Sequence, residues 1–181
     1  MKQISLAVDV VRSGEVIAYP TESVFGLGCD PFNENAVKNL LQMKQRPIDQ
    51  GLILVASHIQ QILPFIQPIE ANDLARALKT WPGHHTWVFP PSKSVPVWIT
   101  GENKGIAIRL SKHPIVVQLC TQLNQPLVST SANLSNQDNL NSIKDIKATF
   151  GDKIGFYIDA PTGNAKNPST IQDAHTLKTY R

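Results

Sequence analysis

Four short runs concentrate the polar side chains that could do chemistry. The first, Tyr19-Pro20-Thr21-Glu22-Ser23-Val24-Phe25-Gly26-Leu27-Gly28, sets hydroxyls and a carboxylate directly after a buried strand, the place where open α/β sheets bind ligands. Taken alone it reads equally as a turn whose hydroxyls bond their own backbone. The second, Lys44-Gln45-Arg46-Pro47, brings two cations to a helix end, where cations commonly complement the free carbonyls and the dipole. Lys44, however, continues the apolar stripe Val37, Leu40, Leu41; an ammonium without a partner is costly there, and an anionic ligand would offset the cost. In the third, Leu127-Val128-Ser129-Thr130-Ser131-Ala132-Asn133-Leu134-Ser135, an extended chain puts Ser129, Ser131 and Asn133 on one face. A polar strand side running into a capped turn accounts for that fragment as well. The fourth is Arg109 within Ile106-Ala107-Ile108-Arg109-Leu110, a guanidinium in a strand otherwise fit for burial, which needs a carboxylate or phosphate partner, structural or bound.

These groups suit an anion-binding cleft better than a nucleophile or a metal centre. There is no GxxxxGKS/T phosphate loop, and Gly26-x-Gly28 lacks the third glycine and the following helix of a dinucleotide fold. His84 and His85 are adjacent, His58, His113 and His175 are isolated, and no HExxH or Cys/His cluster exists; a catalytic metal is therefore expected to arrive with the substrate. The lack of a Gly-x-Ser-x-Gly elbow weakens a serine-hydrolase reading. The 181 residues are 41% hydrophobic and 17% charged, which suits one compact domain over residues 1–181. A net charge of +3, from 17 Lys+Arg against 14 Asp+Glu, is too mild for a polyelectrolyte. Two cysteines without CxxC spacing, Cys29 and Cys120, point to a reducing cytosol. No run approaches the roughly 20 apolar residues of a membrane helix, so a cytoplasmic protein without a membrane partner is expected.

The elements that must position these groups follow from periodicity. Ile4, Val8 and Val11 form a helical stripe stopped by Gly14, and Val16 to Tyr19 is a buried strand ending at Pro20. A loop rich in turn residues follows; Asn33 then caps a helix that Pro47 stops. Leu52 to Ala56, Thr86 to Phe89, Ile106 to Leu110 and Leu127 to Thr130 read as strands, with helices over Asn72 to Lys79 and from Pro114 to Leu123. Ser142 caps a helix from Ile143 to Phe150, and Ile154 to Ile158 and Ser169 to Gln172 are late strands. Interleaved helices and strands without a repeat give an α/β class, a mixed open sheet with helices packed on it.

In this order and together, Tyr-Pro-Thr-Glu at 19–22, Lys-Gln-Arg-Pro at 44–47, Trp-Pro-Gly at 81–83, Ala-Ile-Arg at 107–109 with His113-Pro114, Ser-Thr-Ser-Ala-Asn-Leu-Ser at 129–135 and Asn-Pro-Ser-Thr-Ile at 167–171 resemble the YrdC/TsaC family of threonylcarbamoyl-AMP synthases, in its short bacterial form. The resemblance implies a twisted YrdC/RibB-like sheet with a concave, positively charged face. It also implies conversion of ATP, L-threonine and bicarbonate to threonylcarbamoyl-adenylate and pyrophosphate, the first stage of modifying tRNA beside the anticodon. Carried over by motif, Lys44 and Arg46 hold the triphosphate and the developing charge, with Ser131, Asn133 and Arg181 also on the nucleotide. Thr21, Arg109, Ser129 and Ser169 hold threonine and its carbamate. Mg²⁺ enters with ATP, bridging phosphates, and a downstream threonylcarbamoyl-transferase complex takes the product, with direct tRNA binding a further implied contact. Two departures stand out: His84-His85 where a proline or small apolar residue is expected, and Asn136 where a glycine is expected. The competing reading, from another class, is a non-catalytic tRNA- or rRNA-binding module that grips phosphates with Lys and Arg.

Overall fold

The computed structural model describes residues 2–181. Helix α1, Lys2–Arg12, buries Ile4, Ala7, Val8 and Val11 and leads into β1, Ile17–Pro20. The stretch expected to be a loop then contains a strand, β2, Phe25–Gly28, antiparallel to β1. Its residues are all buried, and Gly28 is required by close approach. A Cβ on Gly28 would strike the Val128 carbonyl and come within 2.8 Å of the Tyr19 ring.

Helix α2, Glu34–Met43, begins as the sequence indicates, with the Asn33 side chain accepting from Ala36 N–H at 3.0 Å, a cap worth about 1 kcal/mol. It stops at Lys44 because Gln45 takes a left-handed conformation, φ 53°. Gln45 N–H then reaches Gln42 O and Arg46 N–H reaches Leu41 O, the paired closing bonds of a helix C-terminus. Strand β3 is Ile53–Ala56, helix α3 is Ala71–Thr80 and strand β4 is His85–Phe89. A one-turn helix α4, Val97–Thr100, precedes β5, Ile106–Leu110. Helix α5, Pro114–Leu123, has its proline in the first turn, and β6, Leu127–Ser131, follows. Ser142 caps α6, Ile143–Phe150, by accepting from Asp145 N–H at 3.1 Å. The late strands are shorter or shifted relative to expectation: β7 is only Phe156–Tyr157, and β8 is Thr170–Asp173.

The eight strands form one mixed sheet in the order β7-β1-β2-β6-β3-β5-β4-β8, with parallel pairs β1–β7, β3–β5 and β4–β8. Strand alternation divides the core. Ala18, Leu27, Leu54, Ile108 and Val128 pack against α2, α3 and α6, while Ile17, Tyr19, Val55 and Leu127 pack against α1 and α5. Helices α1 and α5 cover only part of the second face. Beyond them runs a row set by register, Ser129 opposite Ile53, Ile53 opposite Ala107 and Ala107 opposite Val88, and it forms the floor of a cavity. Among the described residues no helix is long and apolar enough to cross a membrane.

Candidate active site

The cavity has a volume of about 950 Å³, well within the range of pockets that hold cofactor-sized ligands. Of the residues expected at a site, Thr21, Ser129 and Ser131, with Ser169, line its walls. So do three arginines from distant parts of the chain, Arg46, Arg109 and Arg181. Burial, then the charges of Arg109 and Arg46, hold the Arg181 guanidinium below its ordinary value. Burial also pushes Arg46 down, with Asp49 acting the other way. Arg46 donates to Gly51 O at 2.9 Å through one terminal nitrogen, and its Nε has no partner. Cations held in place and only partly satisfied are what a polyanion requires.

Lys44 and Asn133 stand one layer behind this wall. Lys44 is 2% exposed, yet it is not the unpartnered ammonium that its place in the apolar stripe suggested. Its Nζ donates to the main-chain carbonyls of Ser131 and Asn133 and, at 3.2 Å, to Asn133 Oδ1. Its own carbonyl accepts from Ser135 N–H at 2.9 Å. The protein's own oxygens therefore do what an anionic ligand was expected to do. Burial, then Arg46, lower the Lys44 pKa to about 8, and the three acceptors favour the charged form against that trend. Asn133 lies beyond the end of β6, so a continuous strand face does not extend to it. It is brought back by a side-chain bond, Ser131 Oγ to Asn133 Oδ1 at 2.6 Å, while its Nδ2 donates to Gln137 O at 2.6 Å. Asn136, which stands where a glycine is expected, has φ 62°, a left-handed position that Asn tolerates better than most residues.

At the other wall, Arg181 Nε donates to Ser169 O at 3.2 Å, and Ser169 Oγ shares a 2.8 Å bond with the buried Thr86 hydroxyl. The tail reaches this place by folding back on β8, through Asp173 N–H to Lys178 O and Tyr180 N–H to Ile171 O. Thr21 Oγ1 donates to Val24 O at 2.7 Å, closing the β1–β2 turn.

Arg109, 6% exposed, finds the structural carboxylate that a buried strand arginine needs in Glu22, with 3.4 Å between Nη2 and Oε2. In the sequence Glu22 stands out only as part of its motif and Thr86 only as a strand residue; a carboxylate directly after a buried strand is the available signal for Glu22. His85 stacks on Trp87 with centroids 4.4 Å apart, and His84 Nε2 is 2.7 Å from Asn167 O, so neither histidine is among the cavity-lining residues. Among the described residues Glu70, Asp73 and His175 are grouped closely enough to hold a metal ion. Asp73 binds the Arg76 guanidinium at 2.7 Å and His175 Nδ1 at 3.1 Å.

A mixed open sheet that carries a cluster of arginines and hydroxyls over its uncovered face defines an anion-binding α/β protein. The family model Sua5/YciO/YrdC, described as telomere recombination, matches residues 9–181. The chain belongs to this family. It is 46% identical over 180 residues to the threonylcarbamoyl-AMP synthase of Pseudoalteromonas translucida, covering 98% of this chain and 96% of that one. Among solved structures it is similar to P. abyssi Sua5 complexed with L-threonine, with TM-score 0.88 and 34% identity over 94% of this chain; it spans 50% of that longer chain. It is also similar to E. coli YciO, with TM-score 0.82 and 28% identity, covering 95% of this chain and 84% of that one.

Proposed function

We propose that this chain is a threonylcarbamoyl-AMP synthase, joining L-threonine, bicarbonate and MgATP to give threonylcarbamoyl-adenylate and pyrophosphate. The observation that carries the reading is the meeting of Arg46, Arg109 and Arg181 in one cavity with Thr21, Ser129, Ser131 and Ser169. The threonylcarbamoyl-AMP synthases among the relatives, and the threonine-bound Sua5, support the choice of substrates. Threonine's amine captures CO₂ from bicarbonate as a carbamate. A carbamate oxygen then attacks the α-phosphorus of ATP, the bond to the β-phosphate oxygen breaks, and pyrophosphate leaves. No protein nucleophile takes part, so rate comes from positioning and from fixed positive charge.

In this reading Arg46 meets the triphosphate directly, and Lys44 acts on it by holding Ser131 and Asn133 in place. Arg109, Thr21 and Ser129 hold threonine. Arg181 and Ser169, in contact with each other, stand where carbamate and α-phosphate meet. An omission assay tests this: purified protein releases pyrophosphate only with ATP, threonine and bicarbonate all present, and both Lys44→Ala and Asn133→Ala abolish release. Pyrophosphate without threonine, or none from the unaltered protein, overturns the assignment.

A further inference from the structure

The Arg109 guanidinium makes no hydrogen bond within the protein among the described residues, although its main chain belongs to the β3–β5 ladder. Its one charged contact is Glu22 Oε2 at 3.4 Å, and neither Arg109 Nε nor Glu22 Oε2 has a hydrogen-bond partner. Both residues are buried, Glu22 to 5% and Arg109 to 6% exposure, and only Arg109 lines the cavity. A buried guanidinium ordinarily closes a bidentate bond with its carboxylate. This pair is held apart because Glu22 is tied elsewhere. Its Oε1 accepts from Ser111 Oγ at 2.7 Å and from Lys112 N–H at 3.2 Å. Ser111 Oγ in turn accepts from His113 N–H at 3.1 Å, at the start of α5. The main chain of Glu22 is pinned as well, its carbonyl accepting from Ala165 N–H at 3.0 Å. Burial works to raise the Glu22 pKa, but Arg109 and these hydrogen bonds outweigh it, so the carboxyl sits below the usual range and stays charged.

We propose that Glu22 is a positioning residue for the amino-acid substrate: anchored on Ser111 and Lys112 in the connection between β5 and α5, its carboxylate orients the Arg109 guanidinium without saturating it, leaving N–H groups for the substrate's α-carboxylate. The inference rests on the synthase reading for the identity of that substrate. It makes a prediction that charge alone does not. Glu22 and the substrate carboxylate have the same sign, so if charge decided the matter, Glu22→Gln would strengthen threonine binding. If orientation decides, binding weakens.

The test is calorimetric titration of L-threonine into wild type, Glu22→Gln, Arg109→Ala and the double variant, with MgATP titrated in parallel. The expected result is about a tenfold weaker threonine Kd in Glu22→Gln, with MgATP affinity within twofold of wild type. In the Arg109→Ala background Glu22→Gln should add less than twofold, because it acts through the arginine. Ser111→Ala, which cuts one tether and keeps both charges, should weaken threonine about threefold, and it carries the test if Glu22→Gln fails to fold. Unchanged or tighter threonine binding in Glu22→Gln, its full effect persisting without Arg109, or no effect of Ser111→Ala when Glu22→Gln does not fold, overturns the proposal. Failure of wild type to bind threonine would instead sink the synthase reading, and the inference with it.

Discussion

The three N–H bonds of Lys44 all end on oxygens of Ser131 and Asn133, so the side chain shapes the cavity wall from behind. Lys44→Met keeps the length of the side chain and removes every donor, leaving those acceptors unpaired in a buried place. The expected loss is about 2–4 kcal/mol, read from urea midpoints, together with loss of pyrophosphate release. Titration supplies a second, independent check. With a folded pKa of about 8 against an ordinary 10.5, the unfolded chain binds more protons than the folded one between those values. The contribution of this group to stability therefore rises with pH across that window. Activity should move the other way, because the neutral amine has only two N–H bonds for three acceptors and the wall at 131–133 loosens. Turnover falling as pH passes about 8, while the urea midpoint does not fall with it, is the expected pair of results; turnover flat to pH 9.5 contradicts it.

Among the elements, the longer helices are the most legible, because Asn33, Pro114 and Ser142 mark their starts in the sequence. Strand β2 is not, and the reason is physical: half its residues are glycines, which carry neither strand propensity nor a hydrophobic pattern. The need for Gly28 appears only when the Tyr19 ring and the Val128 carbonyl are seen against it. Gly28→Ala should cost about 2–3 kcal/mol, because the new methyl meets the Val128 carbonyl, a Tyr19 carbon at 2.8 Å and a Leu127 methyl at 3.0 Å; a thermal melt near wild type would refute the crowding. The end of α2 carries the opposite opportunity. Gln45 occupies the left-handed position that glycine takes at most such helix ends. Gln45→Gly should gain about 0.5–1 kcal/mol, the relief of αL strain less the added chain entropy, measurable as a higher urea midpoint. If Lys44 and Arg46 keep their directions, turnover stays unchanged.

On the scale of the whole molecule, the arginine cluster depends on strand order. Arg46 follows a helix, Arg109 sits in β5, and Arg181 arrives on a tail folded along β8 at the sheet edge. Local pattern marks each of them as a cation needing a partner, but only the β4–β5 and β4–β8 pairings carry β8 and the tail folded on it to the Arg109 side of the sheet. The same long-range assembly hid the role of Glu22, whose carboxylate touches residues 111 and 112 across the fold. Three guanidiniums gathered before any ligand arrives repel one another; burial first, and then the charges of Arg109 and Arg46, hold Arg181 below its ordinary value, and a triphosphate relieves the repulsive part on binding. Ligand linkage converts this into a measurable quantity. At MgATP about 100 times Kd the folded state gains about 2.7 kcal/mol, which for a chain of this size raises the melting temperature by about 5–10 °C. Arg46→Ala removes the guanidinium assigned to the triphosphate. If affinity falls about 100-fold, the same MgATP concentration stabilises by only about 0.4 kcal/mol, and the shift shrinks to about 1 °C. Differential scanning fluorimetry of the two proteins with and without MgATP distinguishes the cases. A full shift retained by Arg46→Ala would mean that the nucleotide does not bind where the arginines converge.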